Sequence, residues 1–168
     1  MINFVLASNN KKKIAELETL FTAGATEAIK VVSLKDIGFT DEIIEDGDSF
    51  EENALIKAKT IAEICSLPTI SDDSGLEVDA LNGAPGVYTA RFVSAVCLCM
   101  PDGTNTVCRG TCEGWIGYER IGDGGFGYDP VFMVGDISYS QMTPEAKDAI
   151  SHRGSALRQL KEKIGDFI

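Results

Sequence analysis

The sequence predicts an α/β protein whose mixed, twisted sheet is flanked by helices. Strands alternate with helices in the first half of the chain, and strands joined by tight turns dominate the second half. The 168 residues suffice for a single domain over residues 1–168, with room for two small lobes that share a core. Hydrophobic residues make up 44% of the chain and charged residues 24%, which is typical of globular proteins.

The first half begins with a predicted strand at Ile2–Ala7, followed by a helix with apolar residues at helical spacing. Val31–Leu34 predicts a second, short strand. Ser49 lies three residues before Glu52, a capping-box pattern that predicts the start of a long helix ending near Cys65.

A third strand is predicted at Leu67–Ser71, and Asp72–Gly75 is interpreted as its end. Leu76–Leu81 predicts a further strand, which the turn residues Asn82–Gly86 would close.

A hairpin is predicted where Phe92–Met100 and Thr106–Glu113 flank Pro101–Gly103, and Trp115–Ile121 extends this meander. A glycine-rich loop follows at Gly122–Asp129, before a last predicted strand. Two helices end the chain. The first has Pro144 in its opening turn, and the second is amphipathic and follows His152-Arg153-Gly154, with apolar residues at Leu157, Leu160 and Ile164.

The formal net charge is −11, from 26 acidic and 15 basic residues. A field of that sign repels polyanions, so we expect neither a nucleic acid nor an anionic membrane as partner. A small phosphorylated ligand held by a few lysines and a divalent cation remains compatible with it. No apolar stretch approaches the roughly 20 residues that cross a bilayer, and no signal-peptide pattern is present, so we expect a cytoplasmic protein.

The five cysteines are an odd number in a chain without a secretory signal, which indicates reduced thiols. The spacing of Cys97, Cys99, Cys108 and Cys112 leaves a zinc site as an alternative. Because two of these residues lie in an apolar strand, where cysteine behaves as a small hydrophobe, we favour a role in the core.

The turn Ser8–Lys13 joins the first strand to the first helix, and helix N-termini carry free N–H groups that bind anions. Lys11, Lys12 and Lys13 oppose the helix dipole, so helix stability alone does not explain them. A solvated basic patch is the alternative. The chain contains no Walker-type phosphate loop.

The segment Gly122–Gly127 satisfies the pattern G-x-G-x-x-G, but it does not indicate a dinucleotide-binding site. Such a fingerprint follows a first strand and opens a helix, whereas Tyr128-Asp129-Pro130 leads into a strand. We favour a mobile loop in which Phe126 stacks on a flat ring, and a plain turn is the alternative.

Asp72 and Asp73 are predicted at the end of a buried strand, where free carboxylates are costly unless paired or bound to a cation. Together with Glu45, they could form the oxygen site that Mg²⁺ prefers when phosphate supplies further ligands. The alternatives are that Asp72 caps a turn and that Glu45 is a surface charge.

His152 is the only histidine, and it precedes Arg153. A lone histidine is more often structural than catalytic. Arg153 and Lys147 could contact a phosphate or a carbonyl group, or they could simply favour the C-terminal end of a short helix.

Six motifs in fixed order resemble the inosine triphosphate pyrophosphatase family, also called Ham1-like or non-canonical purine NTP pyrophosphatases. They cover nearly the whole chain and lie at Ser8–Lys13, Ser49–Ala54, Asp72–Leu76, Gly83–Tyr88, Gly125–Pro130 and Ser151–Gly154. The resemblance implies hydrolysis of ITP, dITP and XTP to the monophosphate and pyrophosphate, dependence on Mg²⁺, and a homodimer. We expect the two lobes to enclose a central substrate cleft.

The resemblance also implies roles for individual residues. Ser8, Asn10 and Lys13 would bind the triphosphate. Glu45 and Asp73 would hold magnesium, and Asp73 would also act as the general base. The remaining substrate contacts and the base pocket are implied for Ser74, Phe126, Gly127, Tyr128, Asp129, Lys147, His152 and Arg153.

Two other functions stay open. A Maf-like nucleotide pyrophosphatase would share the fold and reaction but prefer other bases, and the motif Ser151–Gly154 argues against it. A catalytically impaired nucleotide-binding module is the second, and retention of Asp73, Glu45 and Lys13 argues against it.

One departure from the family pattern lies near residues 91 and 92. Ala90 and Arg91 both end the motif that begins at Gly83 and start the following strand, whereas relatives carry a long segment with a helix between the two. Loss of a packed helix would expose its apolar partners. We therefore predict that the natural protein contains a segment between Arg91 and Phe92 that this sequence lacks.

Overall fold

The computed structural model describes residues 2–22, 29–78 and 88–167. Within them, the strands and α-helices follow in the order β1 (Ile2–Leu6), α1 (Lys11–Thr22), β2 (Ile29–Ser33), α2 (Phe50–Cys65), β3 (Thr69–Val78), β4 (Tyr88–Cys99), β5 (Asn105–Ile116), β6 (Phe132–Val134), β7 (Ile137–Ser138), α3 (Pro144–Ile150) and α4 (His152–Lys163). Single 3₁₀ turns lie at Tyr139–Gln141 and Ile164–Asp166.

The strands form one mixed sheet in the order β2-β1-β3-β4-β5-β6-β7. β1 lies parallel to both β2 and β3, whereas the later neighbours pair antiparallel. The parallel part contains the alternation of strands and helices, and the antiparallel part contains the meander. The predicted α/β class, with a mixed sheet and flanking helices, is thus confirmed.

The helices cover both faces of the sheet. On one face, α2 approaches β4 closely because both contribute small side chains, namely Ala54, Ala58, Ala62, Ala95, Cys97 and Cys99. On the other face, α1 and α4 pack larger side chains against the strands, including Phe4, Leu17, Ile70, Leu98, Leu157 and Leu160. Because side chains alternate along a strand, neighbouring residues of β3 and β4 reach different helices.

The prediction of two separate strands around Asp72–Gly75 was wrong. β3 is continuous from Thr69 to Val78 and pairs without interruption with β4. Residues that are typical of turns are tolerated inside this strand because tertiary partners satisfy their polar groups. The predicted continuation to Leu81 and the turn at Asn82–Gly86 lie in residues 79–87, outside the described residues.

The helix starts follow the sequence signals closely. Ser49 Oγ accepts from the Glu52 N–H (3.2 Å), as the capping pattern predicts, whereas the Glu52 carboxylate accepts from the N–H of Asp48 (2.7 Å), one residue before the cap. Ser151 caps α4 in the same way, through the Gly154 N–H at 3.0 Å. The motif at residues 152–154 is therefore the first turn of α4 rather than a segment before it. The meander is also shorter than predicted, because β5 ends at Ile116.

The four clustered cysteines lie in the core. Cys97 and Cys99 face α2, whereas Cys108 belongs to the core on the opposite face, so these thiols cannot surround one ion. All five cysteines are free, and burial raises the pKa of the Cys97 thiol to about 12. Of the described helices, none has the length and apolarity needed to cross a membrane.

β4 runs without a break through Arg91 and Phe92, the point where the sequence departs from the family pattern. Arg91 lies directly opposite Glu77 of β3 and Glu113 of β5. Its Nε is 3.1 Å from Oε1 of Glu113, and its Nη1 is 3.5 Å from Oε2 of Glu77. This cross-strand charge triplet favours the observed register.

Candidate active site

The turn between β1 and α1 is shaped by Asn10. Its Oδ1 accepts hydrogen bonds from the N–H groups of Lys12 (3.1 Å) and Lys13 (3.3 Å), so Asn10 caps the helix. The Asn10 N–H donates to Ser8 Oγ at 3.2 Å. With the turn fixed in this way, Lys13 Nζ lies 2.9 Å from Oδ2 of Asp72.

Asp72 is a fully buried anion on the α4 face of β3. It accepts hydrogen bonds from Ser94 Oγ and from Nε and Nη2 of Arg153, the latter two at 3.3 Å. Burial by itself would raise the pKa of this carboxyl, but the charges of Arg153 and Lys13 and the Ser94 hydrogen bond hold the pKa well below its usual range. Asp72 therefore stays ionised and anchors both cations.

Asp73, the next residue, points to the α2 face. Nζ of Lys57, from α2, lies 3.1 Å from Oδ1 of Asp73 and 2.7 Å from Oε2 of Glu45. The Asp73 side chain is 17% exposed and that of Glu45 is 39% exposed, so a solvent-borne ligand can reach this pair. A cation already bridges the two carboxylates.

We call the space in front of these groups the carboxylate cavity. It has a volume of about 350 Å³, and the polar residues that line it include Ser8, Asn10, Lys13, Glu45, Lys57, Asp72 and Asp73. It brings together the five residues predicted to bind triphosphate and magnesium.

Glu45 and Asp73 are the two carboxylates that would hold a magnesium ion, and oxygens of a phosphate ligand would have to complete its shell. Mg²⁺ typically takes one or two protein carboxylates and completes its shell with phosphate oxygens and water. The two carboxylates share one cation, the Lys57 ammonium group, which shows that both can face a single positive charge. Among the described residues, no group of three or more His, Cys, Asp or Glu side chains is arranged to hold a metal ion.

A second, smaller space, which we call the aromatic pocket, adjoins the first. Its volume is about 160 Å³, and it is lined by Lys13, Ser74, Gly75, Leu76, Phe92, Phe126, Gly127, Tyr128, Asp129, Lys147, His152 and Arg153. Lys13 lines both spaces, so the two spaces lie on either side of this lysine. All eight residues predicted for the base pocket and the remaining substrate contacts lie here.

The loop that carries Phe126 is held by Asp129. Oδ2 of Asp129 accepts from the Phe126 N–H and from Lys147 Nζ, both at 2.8 Å. Gly125 has a φ of +72°, and a Cβ there would lie 2.0 Å from Oδ2 of Asp129, so only glycine fits. The Phe126 ring is flanked by the ammonium groups of Lys12 and Lys147, 5.7 and 5.1 Å from its centroid.

His152 enters the pocket as a buried, neutral ring. It stacks on Phe92 with centroids 4.8 Å apart. Burial, and then the charge of Arg153, lowers the His152 pKa to about 3. Its Nδ1 is buried and has no hydrogen-bond partner among the described residues. The close approach of α4 to β5 depends on Gly110 of β5, where a Cβ would lie 2.1 Å from the His152 carbonyl oxygen.

Arg153 is also almost completely buried. Besides Asp72, its guanidinium donates to Ser74 Oγ at 3.1 Å and to a carboxylate oxygen of Glu16 in α1. Glu16 also lies 3.7 Å from Lys147 Nζ. α1 thus contributes Lys13 to both cavities and Glu16 behind the aromatic pocket.

Two charged residues of the site were not predicted from the sequence. Lys57 lies among Ala54, Ala58 and Ile61 on the buried stripe of α2, and a lysine on an apolar helix face is a signal that could have identified it. Glu16 carries a weaker signal, since it lies one helical turn after Lys13.

The fold places a charged cavity next to an aromatic one in an α/β protein, an arrangement that suits a ligand with a charged end and a flat aromatic end. A model of the Ham1 family matches residues 4–94 and 89–163. The chain belongs to the Ham1 family.

Relatives and solved structures agree with this assignment. A dITP/XTP pyrophosphatase of Nocardia farcinica is 44% identical over 192 residues, with 95% of this chain and 93% of the relative covered. A dITP/XTP pyrophosphatase of Cutibacterium acnes is 41% identical, with 95% of each chain covered. The Ham1 protein structure from Coxiella burnetii has a TM-score of 0.84 at 34% identity, with 99% of this chain and 100% of that chain covered. The Mycobacterium abscessus nucleoside-triphosphatase, a dITP/XTP pyrophosphatase, has a TM-score of 0.69 at 37% identity, with 95% and 98% covered.

The comparison also bears on the region near Arg91. The two stretches matched by the family model overlap at residues 89–94. The alignment with the Nocardia farcinica relative spans 192 positions, more than the 168 residues of this chain, so that relative has residues where this chain has none. The presence of such a segment in the natural protein stays a prediction.

Proposed function

We propose that this protein hydrolyses non-canonical purine nucleoside triphosphates, namely ITP, dITP and XTP, to the monophosphate and pyrophosphate. The observation that carries the proposal is the junction of the two cavities at Lys13, which fits a triphosphate beside the carboxylates and a purine against Phe126. The names of the Nocardia farcinica and Cutibacterium acnes relatives support this substrate class.

The carboxylate cavity supplies what cleavage between the α- and β-phosphates requires. Lys13 and Lys57 neutralise charge on the phosphates. A magnesium ion held by Glu45 and Asp73 would add further charge neutralisation when bound. Asp73 is the general base, because its carboxylate is accessible and can take a proton from the attacking water.

The aromatic pocket supplies the selection of the base. Lys147 and Arg153 line it and carry only hydrogen-bond donors, which suit the oxygen at position 6 of hypoxanthine or xanthine. The 6-amino group of adenine would place a donor against these donors, and such a mismatch is costly in a buried site. The unpartnered Nδ1 of His152 could gain a partner from the polar edge of the same base.

The finer features of the proposal have different support. Dependence on Mg²⁺ is supported by the facing carboxylates of Glu45 and Asp73. A homodimer is supported by the sequence resemblance alone. A cytoplasmic location is supported by the five free cysteines and by the role of such an enzyme in cleansing the nucleotide pool.

Pyrophosphate release by the purified protein tests the proposal. ITP, dITP and XTP should each yield monophosphate and pyrophosphate only with added Mg²⁺, and at least about a hundredfold faster than ATP, as expected when buried polar groups discriminate. Equal rates with ATP would contradict the base selection, and diphosphate with phosphate as products would contradict the cleavage site. A Maf-like preference for other bases would show in the same panel.

The impaired nucleotide-binding module is favoured by one observation, the residues present in relatives and absent here. Intact-mass spectrometry of the natural protein decides whether that absence is real. A mass a few kDa above 18.0 kDa is the expected result. A mass of 18.0 kDa would mean a true deletion, and ITP binding without pyrophosphate release would then identify an inactive module.

A further inference from the structure

The half-buried carboxylate of Glu16 lies behind the aromatic pocket and contacts two of the three cations that line it, Arg153 and Lys147. Oε2 accepts a hydrogen bond from Nη1 of Arg153, and Oε1 lies 3.7 Å from Nζ of Lys147. Each oxygen thus faces a different cation. The side chain is 15% exposed, so water screens these contacts only weakly.

The two cations come from different helices and have other anionic partners on their far sides. Arg153, on α4, also binds Asp72, while Lys147, on α3, also binds Asp129. Glu16 is therefore the group that joins two otherwise separate ion pairs. Like charges repel strongly at low exposure, and a carboxylate between Arg153 and Lys147 allows both to point into one small pocket.

The negative charge of Glu16 also acts on Asp148. Burial, and next the charge of Glu16, raises the pKa of the Asp148 carboxyl. Glu16 also lies on the same helix as Lys13, one turn further along. α1 therefore carries both Lys13, which lines the two cavities, and Glu16, which contacts the hydrogen-bond donors Arg153 and Lys147 of the aromatic pocket.

We propose that Glu16 is a positioning residue for base selection, holding Arg153 and Lys147 where they donate to the oxygen at position 6 of the purine. This inference rests on the proposed function. Glu16 does not line the aromatic pocket and acts through the two cations. Its loss should weaken discrimination by the 6-substituent more than it weakens the handling of the triphosphate.

The test compares ITP with purine riboside triphosphate, which has the same phosphates and sugar but no group at position 6. In Glu16→Gln, the amide keeps the shape of the carboxylate but loses its charge. Its NH₂ group, which only donates hydrogen bonds, must then face either Arg153 or Lys147. The ratio of kcat/KM for ITP to that for purine riboside triphosphate should fall about tenfold or more, mainly through KM for ITP. Glu18→Gln, an exposed position on the same helix, should leave the ratio unchanged.

One further variant keeps the outcome decisive. Glu16→Asp retains the charge with one methylene fewer, and its ratio should lie between those of the wild type and Glu16→Gln. If Glu16→Gln does not fold, the Glu16→Asp ratio decides, and an unchanged ratio overturns the proposal. An equal fall for both substrates in Glu16→Gln would indicate a purely structural role and would also overturn it.

A binding measurement separates this proposal from the proposed function. If the wild type releases no pyrophosphate from ITP, the proposed function fails. Titration calorimetry with ITP and purine riboside triphosphate still reports the affinity ratio in wild type and Glu16→Gln. A ratio that falls about tenfold supports the role of Glu16, and an unchanged ratio overturns it.

Discussion

The two cavities handle charge in different ways although they share Lys13. In the carboxylate cavity, the carboxylates of Glu45 and Asp73 are 39% and 17% accessible, although Asp72, which also lines this cavity, is fully buried. In the aromatic pocket, Arg153 is 2%, Asp129 6% and Lys147 10% accessible at the side chain. The first region can exchange its Lys57 bridge for incoming ligands, whereas the second presents donors already fixed by buried partners. The comparison indicates that the carboxylate cavity, which we propose holds the triphosphate, is adjustable, and that the aromatic pocket, which we propose selects the base, is preorganised.

The largest expected effect follows from removing a buried cation. Arg153→Met leaves the buried Asp72 with Lys13 as its remaining cationic partner, so the free energy of unfolding should fall by about 3 kcal/mol or more. Chemical denaturation measures this change. Arg109→Met removes a surface arginine that also pairs with two glutamates, and it should cost less than about 1 kcal/mol. Similar losses of unfolding free energy in the two variants would contradict the distinction between buried, preorganised charges and exposed ones.

Asp73→Asn tests the adjustable region. The change is isosteric but removes the proposed general base and weakens the proposed metal site, so turnover should fall by at least about a hundredfold while the unfolding midpoint stays close to that of the wild type. Steady-state hydrolysis of ITP measures the loss. Asp46→Asn, in the exposed acidic segment, is the matched control and should retain activity. Turnover at the wild-type level in Asp73→Asn would exclude Asp73 as the base.

The buried His152 should make stability depend on pH. Its pKa falls from 6.5 to about 3 on folding. Between pH 3 and pH 6.5, the histidine is therefore protonated in the unfolded chain but not in the native state. Stability should therefore be highest above pH 6.5 and decline by up to about 1.4 kcal/mol per pH unit as the pH falls toward 3.

Replacement of the titrating ring isolates this contribution. His152→Asn should fold less stably at neutral pH but show a flatter dependence between pH 6 and pH 4. Asp72 does not obscure the comparison above about pH 5, since a carboxyl with a depressed pKa loses its contribution to stability only as the pH falls into and below the usual carboxyl range. Parallel curves for both proteins would show that His152 takes up its proton in the native state.

Phe126→Ala should have the smallest effect, and it tests whether Phe126 stacks on the base in the aromatic pocket. Stacking on the base exists in both the ground state and the transition state, so its loss should raise KM by about tenfold and leave kcat nearly unchanged. Steady-state kinetics with ITP separate the two constants. A lower kcat at constant KM would instead indicate that the Phe126 loop closes over the substrate during turnover.

The fold class was predictable because its signals are local. The capping pattern of Ser49 and Glu52 and the hairpin around Pro101–Gly103 each depend on a few neighbouring residues, and the structure has α2 and the β4–β5 pair at these places. The predicted end of β3 at Asp72–Gly75 failed for the opposite reason. Nothing near these residues in the chain shows that Arg153 and Lys13 compensate a carboxylate inside the strand.

The sequence implied most residues of the candidate site, but not Lys57, not Glu16, and not the contacts among the members. The sequence by itself determined that Asp72 and Asp73 are adjacent, and the family resemblance implied that their motif forms one site with Ser8–Lys13 and Ser151–Gly154. Only the tertiary structure decided that the pleat of β3 sends Asp72 toward Arg153 and Asp73 toward Lys57. The physical reason is that side-chain periodicity is local and readable, whereas the partners of a buried charge come from distant elements. Glu16 and Lys57 acquired their roles only when α1 and α2 packed on opposite faces of the sheet.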